Sequence, residues 1–290
     1  MRLRNTITSG ITAVLTAASV ALGLGAVAPA HAAPAGNVVV FGDSYAANPD
    51  KWKNYLNRVP GSSTNPAIAT YPSTGGCLQG PDNWPRQLQA RTGIPVADWS
   101  CSGNNSGHLA GRINGAIASG DLHPGTRAVV ISIGFNDYWP GAVLELNTTY
   151  NQRVIQDTYV AKVREAAARI RSVAPNAKII MPGMLTIAEP YGANMLCFVN
   201  VVPNLPAGVP FPLLQQVETY TADNQRRAAR EIGAQFIDIR QASRYHNTCV
   251  KDADRWVSGY IDTTTANYTM SLHPSRAGSA FVAGEVARAL

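Results

Sequence analysis

Val38-Val39-Val40-Phe41-Gly42-Asp43-Ser44 is a β-branched apolar run that stops at a glycine, an acid and a serine. Short apolar runs bounded by a turn signal read as buried parallel strands, whose side chains meet apolar layers on both faces. In open α/β sheets, ligands sit beyond the carboxyl ends of such strands. That places Ser44 where chemistry is carried out. The plainer alternative is turn chemistry, in which Asp43 and Ser44 only bond their own backbone, so the rest of the chain has to decide between the two.

Further apolar runs occur at Ile94–Trp99, Ala128–Ile133, Lys178–Met181 and Gln235–Ile239, and helical periodicity separates them. This alternation predicts a parallel sheet of five strands wrapped by helices. The clearest helix spans Val154 to Val173: Val160, Val163, Ala167, Ile170 and Val173 share one stripe, and Pro175 stops it. Others are expected from about Leu213 to Ile232 and from about Ser275 to Leu290. Residues 46–83, rich in Pro, Gly, Asn and Ser, read as a long loop that Cys77 can staple. Residues 190–214 are apolar but interrupted by Pro203, Pro206, Pro210 and Pro212. They read as an irregular apolar loop that either packs on the core or touches substrate.

The first 32 residues have the layout of a secretory signal: Arg2 and Arg4, an apolar core from Ile11 to Val27, and Ala30-His31-Ala32 as the cleavage site. Thr, Ser and Gly dilute the core and the A-x-A pattern follows at once, which argues against a membrane anchor, and with Leu3 between the arginines the twin-arginine route is not indicated. Residues 33–290 are then one domain of an extracellular protein, expected to be monomeric and without stable membrane insertion. Of 24 Lys and Arg, 22 remain against 18 acids, a formal charge of +4 spread along the chain. Nucleic-acid binders gather their basic residues on one face, so that partner class is set aside. Four cysteines in an exported chain imply two disulfides with three possible connectivities. The sequential pairing, Cys77–Cys101 and Cys197–Cys249, is the expectation. With no C-x-x-C and only long, irregular spacings, no metal site is expected.

Three further segments fall on the same rim as Ser44. Ser100-Cys101-Ser102-Gly103-Asn104 ends the second strand, Gly134-Phe135-Asn136-Asp137 ends the third, and Ser271-Leu272-His273-Pro274 precedes the last helix. Acyl transfer needs a nucleophile, a base, and donors aimed at the developing oxyanion. Ser44 can serve as nucleophile and His273 as the base that later protonates the leaving group. The N–H groups of Ser44 and Gly103, with the side-chain amide of Asn136, can form the oxyanion hole. This chemistry requires no cofactor. His108, His123 and His246 lack a second ligand at metal spacing and read as structural. Asp43 and Asp137 are expected to bond their own turns, and Tyr138 and Trp139 either line the acyl site or pack.

These four blocks resemble the SGNH, or GDSL, superfamily of esterases and lipases, in which Ser44, Gly103, Asn136 and His273 would be the four named residues. The resemblance spans nearly all of the mature chain. It implies a flavodoxin-like, three-layer α/β/α fold and hydrolysis of carboxylic esters of lipids or acylated carbohydrates. The exported, disulfide-bearing form is similar to the secreted actinobacterial lipases and esterases of that family. One position departs from the family pattern: Met270 stands three residues before His273, where the family usually has an Asp. The expectation is a Ser–His dyad whose imidazole is oriented by a main-chain carbonyl, Met270's being nearest. Asp262 and Asp254 are the alternative partners and read as surface acids. A carbohydrate acetylesterase would share every residue of this site, and an inactive secreted binding module would share the fold. No G-x-S-x-G elbow occurs, which excludes an α/β-hydrolase.

Overall fold

The computed structural model describes residues 36–139, 141, 145 and 150–290; the secretory signal read at residues 1–32 lies outside them. Five strands form the central sheet: β1 (Val38–Gly42), β2 (Val96–Asp98), β3 (Ala128–Ser132), β4 (Lys178–Pro182) and β5 (Gln235–Ile237). Their order is β2-β1-β3-β4-β5 and every pairing is parallel. This is the flavodoxin-like order, in which successive connections leave β1 toward opposite sides and open a crevice at its carboxyl end. Val40 lies level with Asp98 and Val130, and Gly42 with Ser132. The loops after these three strands therefore start from one rim.

Strand alternation builds two apolar layers. Val38, Val40, Val130 and Ile180 share one cluster with Trp84 and Leu88 of the helix Trp84–Thr92 and with Val282 and Val286 of Arg276–Ala289. Val39, Phe41, Val129, Ile131 and Met181 face the other side. There they meet Ile113 of Leu109–Ala118, Val163 and Ile170 of Gln152–Val173, and Ile232 of Pro212–Ile232. Each fully buried Val, Leu or Ile contributes roughly 1.5–3 kcal/mol. Three layers result, helices over sheet over helices.

Two segments depart from the sequence reading. Residues 46–83 are largely folded: α1 (Ser44–Ala47), α2 (Lys51–Leu56), a turn of helix at Pro66–Ala69, and a hairpin of Ser73–Thr74 with Cys77–Leu78. The Asp and Asn content that reads as loop is capping. Asp50 and Asn65 accept N-terminal helix N–H groups, and Asn48 takes the left-handed conformation that ends α1. Residues 190–214 are not an irregular loop. Met195–Asn200 pairs antiparallel with Ala207–Pro210 and parallel with Ile261–Asp262 in a small second sheet. The prolines fit because Ala207–Pro210 is an edge strand and Pro212 opens the long helix Pro212–Ile232. Disulfides join Cys77 to Cys101 and Cys197 to Cys249.

Candidate active site

Gly42 ends β1 because nothing larger fits there. A Cβ would stand 2.5 Å from that of Ala46 and 3.2 Å from the Ser132 carbonyl. The chain turns at once into α1, whose first residue is Ser44 and whose cap is Asp43, accepting from the Tyr45 N–H at 2.8 Å. Asp43 bonds its own turn, as its type predicts. Burial, reinforced by the Asp137 charge, pushes its carboxyl up to about 7.

The Gly103 segment is fixed to this turn from two sides. The Cys101 N–H donates to the Gly42 carbonyl at 3.0 Å, and Gln79 Nε2 donates to that of Ser100 at 3.0 Å. Gly103 itself has φ +86, a left-handed conformation that favours glycine. Asn136 Nδ2 donates to the Asn104 carbonyl at 2.8 Å. An amide nitrogen carries two protons, so one remains for another acceptor. Asp137 does not confine itself to its own turn. Its carboxylate accepts the Ser106 N–H at 3.1 Å and the Ser106 hydroxyl, locking the Asn136 segment to the Gly103 segment. Burial raises the Asp137 carboxyl, and the Ser106 bonds oppose the rise.

His273 differs from expectation in its anchor. Nδ1 lies 2.8 Å from the Ser271 carbonyl, not Met270's. Leu272, at φ +58, reverses the chain so that the carbonyl two residues back comes beneath the ring, while the Met270 carbonyl accepts from Ser258 Oγ at 2.8 Å. A carbonyl can only accept, so Nδ1 carries the proton and Nε2 is the basic nitrogen. Nε2 is buried without a hydrogen-bond partner among the described residues. Neither alternative acid bonds the ring. Asp254 is exposed. Asp262 is buried rather than a surface acid, and accepts the N–H groups of Gly259, Thr264 and Thr265. Burial works to raise its carboxyl, but these bonds win and hold it below the ordinary range.

Burial lowers the His273 imidazole to about 4, against the smaller upward pull of the Ser271 bond. If His273 acts as the base that its sequence context suggests, it must be unprotonated, and the acid limb of kcat/KM is then expected to have its midpoint near that value rather than at an ordinary 6.5. A pH-rate profile on a neutral ester checks this. A limb near 7 would assign the titration to Asp43 instead.

Tyr45 has no signal in the sequence beyond its place after Ser44. Its hydroxyl donates to the Leu272 carbonyl at 2.7 Å, and its ring lies 5.0 Å from the His273 imidazole. It holds in place the one residue of this turn whose left-handed backbone costs about 1–2 kcal/mol. Tyr45→Phe, which deletes one hydrogen bond, is expected to lower kcat about threefold to tenfold with little change in KM.

Ser44, Gly103, Asn136, Met270 and His273 all line one cavity of about 540 Å³, a volume usual for small-molecule sites. Phe135, Trp139, Leu196, Phe211 and Leu214 give it apolar walls. Trp139 thus lines the cavity, whereas Tyr138 packs: it is buried, takes a hydrogen bond from Asn224 and meets Tyr150 edge-on. The remaining histidines serve local structure: His108 Nδ1 accepts the Asn105 N–H, His123 Nδ1 accepts the Gly125 N–H, and His246 stacks on Trp256.

A serine at a strand tip, a histidine held through Nδ1, and an asparagine and a left-handed glycine beside them are the parts of a carboxylic ester hydrolase. The GDSL-like lipase/acylhydrolase family matches the chain over residues 40–281, and the chain belongs to that family. Lipase 2 of Streptomyces coelicolor is 27% identical over 302 residues, covering 95% of this chain and 93% of that one. An esterase of Streptomyces scabiei is 27% identical over 317 residues, covering 90% and 88%. Among solved structures, the extracellular lipase of Streptomyces rimosus superposes with a TM-score of 0.59 at 17% identity. That match covers 88% of this chain and all of that one. At such identity the superposition speaks for the fold alone.

Proposed function

We propose that this protein is a secreted esterase or lipase that works through an acyl-enzyme on Ser44, with His273 as base and no carboxylate behind it. Ser44 Oγ attacks the ester carbonyl as His273 Nε2 takes its proton. The oxyanion is met by the N–H groups of Ser44 and Gly103 and by Asn136 Nδ2. The intermediate collapses with loss of the alcohol, which leaves with the proton from Nε2. Water, deprotonated by the same nitrogen, then releases the acid and restores Ser44. The Ser271 carbonyl fixes the ring and its tautomer but supplies only a partial charge to the imidazolium.

One observation carries this reading: four segments far apart in the chain converge on one cavity, and the histidine among them has its Nδ1 held by a carbonyl. Two disulfides and a signal-like N-terminus support export. A carbohydrate acetylesterase would use the same groups, but the apolar walls favour a longer acyl chain. Hydrolysis of p-nitrophenyl esters of increasing acyl length is the test. kcat/KM is expected to rise from acetate to medium chains, about 0.8 kcal/mol per methylene buried at best. A profile highest on acetate turns the reading to an acetylesterase.

A further inference from the structure

We infer that Glu218, a buried carboxylate outside the lining of the cavity, sets the acyl-length preference of the ester site by holding the wall segment that carries Ile187. The inference rests on the ester-hydrolase reading and names a positioning residue for that same site.

β4 ends at Pro182, and the chain then runs as irregular backbone to Asn194, yet residues 183–188 are all buried. Buried N–H groups outside regular structure must still find acceptors. Glu218 supplies two: one carboxylate oxygen accepts the Ile187 N–H at 2.5 Å, and the other accepts that of Ala188 at 3.3 Å. An ionised carboxylate accepts at both oxygens, whereas a glutamine would set its NH₂ against one of the two donors. The residue type is matched to that task, at a position with 0% exposure where a carboxyl is otherwise costly.

The same carboxylate ties parts of the wall together. Leu214 stands one turn before Glu218 on the helix Pro212–Ile232, and both Leu214 and Ile187 line the cavity. The Ile187 carbonyl accepts the Thr248 N–H at 3.1 Å and the Thr248 hydroxyl at 2.9 Å. That hydroxyl in turn accepts the Cys197 N–H at 3.2 Å, next to Leu196 of the lining. Ile187, Leu196 and Leu214 are thus fixed to one another through Glu218 and Thr248. An acetyl group sits at the oxyanion hole and needs little of this wall, but each further methylene has to lie against it.

Burial pushes the Glu218 carboxyl up to about 7, and the Arg240 charge and the two N–H bonds oppose the rise. Protonation turns one oxygen into a donor that faces an N–H, so the wall is held best above that value. The other charged or titratable groups near it are Arg240, whose guanidinium stays charged, and Tyr45, whose hydroxyl is driven upward by burial.

The competing account is that Glu218 supports the fold and nothing finer. p-Nitrophenyl acetate and p-nitrophenyl octanoate, the latter below its micellar concentration, separate the two. Ser44, His273 and Asp43 act on both esters alike and cancel in the ratio of kcat/KM. Glu218→Gln is expected to lower the octanoate-over-acetate ratio roughly threefold to tenfold, mostly through the KM for octanoate. In the wild type the ratio should fall about twofold or more from about pH 8 to about pH 6, and in Glu218→Gln it should be flat. Thr248→Val, which removes the hydroxyl bond to Ile187, should lower the ratio while keeping its pH dependence, and Thr248→Ser should restore it. Equal losses on the two esters, the mark of a merely structural role, overturn the inference, as does a ratio unchanged in Glu218→Gln. Should that variant not fold, a ratio that neither pH in the wild type nor Thr248→Val moves overturns it. If the folded wild type hydrolyses neither ester, the ester-hydrolase reading fails instead.

Discussion

Ser44→Ala is expected to lower kcat on a p-nitrophenyl ester by about 10⁴ or more, and His273→Ala by a similar factor. The double variant should be no worse than either alone. In the proposed mechanism the two groups act as a unit: a serine without its base is a weak nucleophile, and the base without the serine has nothing to activate. Neither change removes the N–H groups of residues 44 and 103 or the Asn136 amide. A residual rate above water is therefore expected in all three. Additive losses would mean that the two residues do not share one step. A Ser44→Ala enzyme turning over at the wild-type rate would remove the acyl-enzyme altogether. The alanine fits the end of β1, because the tight contact there is with Gly42, not with residue 44.

Much of this arrangement was legible in the sequence because it is built from strand ends. β1 and β3 announce themselves as apolar runs, and parallel pairing confines the residues beyond their carboxyl ends to one rim. Gly103 and Asn136 could therefore be placed near Ser44 without a structure. The long helices were legible for the same kind of reason, since Gln152–Val173 carries its apolar stripe in sequence. The second sheet was not. Proline placement that suits an edge strand also suits a loop, and local pattern does not record that Met195–Asn200 finds a partner at Ile261–Asp262.

The anchor of His273 was misplaced by one residue for a conformational reason. Met270 is the expected anchor because it stands three residues before His273, where the family usually has its Asp, and that placement presumes an ordinary turn. Leu272 instead enters the left-handed region, which leucine rarely adopts. Its carbonyl is held by Tyr45, from 227 residues away in the chain. No local rule anticipates that pairing. Asp262 was misread for a related reason: a short acid among Gly and Thr reads as exposed turn, whereas here it collects backbone N–H groups inside the fold.

Asn136→Asp is expected to reduce kcat by about 10²–10³ with KM nearly unchanged. The substitution keeps the size and shape of the side chain but exchanges its NH₂ donor for an oxygen. Two things are then lost together. The free amide proton can no longer meet the oxyanion, and a carboxylate would place like charge beside it. The bond that Asn136 makes to the Asn104 carbonyl is lost as well, so a structural account has to be separated from a chemical one. Asn136→Ala separates them, because it removes the amide and the Asn104 bond without adding charge. If stabilising the oxyanion is the role, both variants lose kcat, the aspartate loses more, and KM stays within about twofold in each. If the role is only to hold Asn104, the two lose alike and KM rises with the loosened Gly103 segment. Asp137 still ties its segment to Ser106 in both variants, so neither substitution frees residue 136 altogether from the Gly103 segment and the two can be compared on a similar fold.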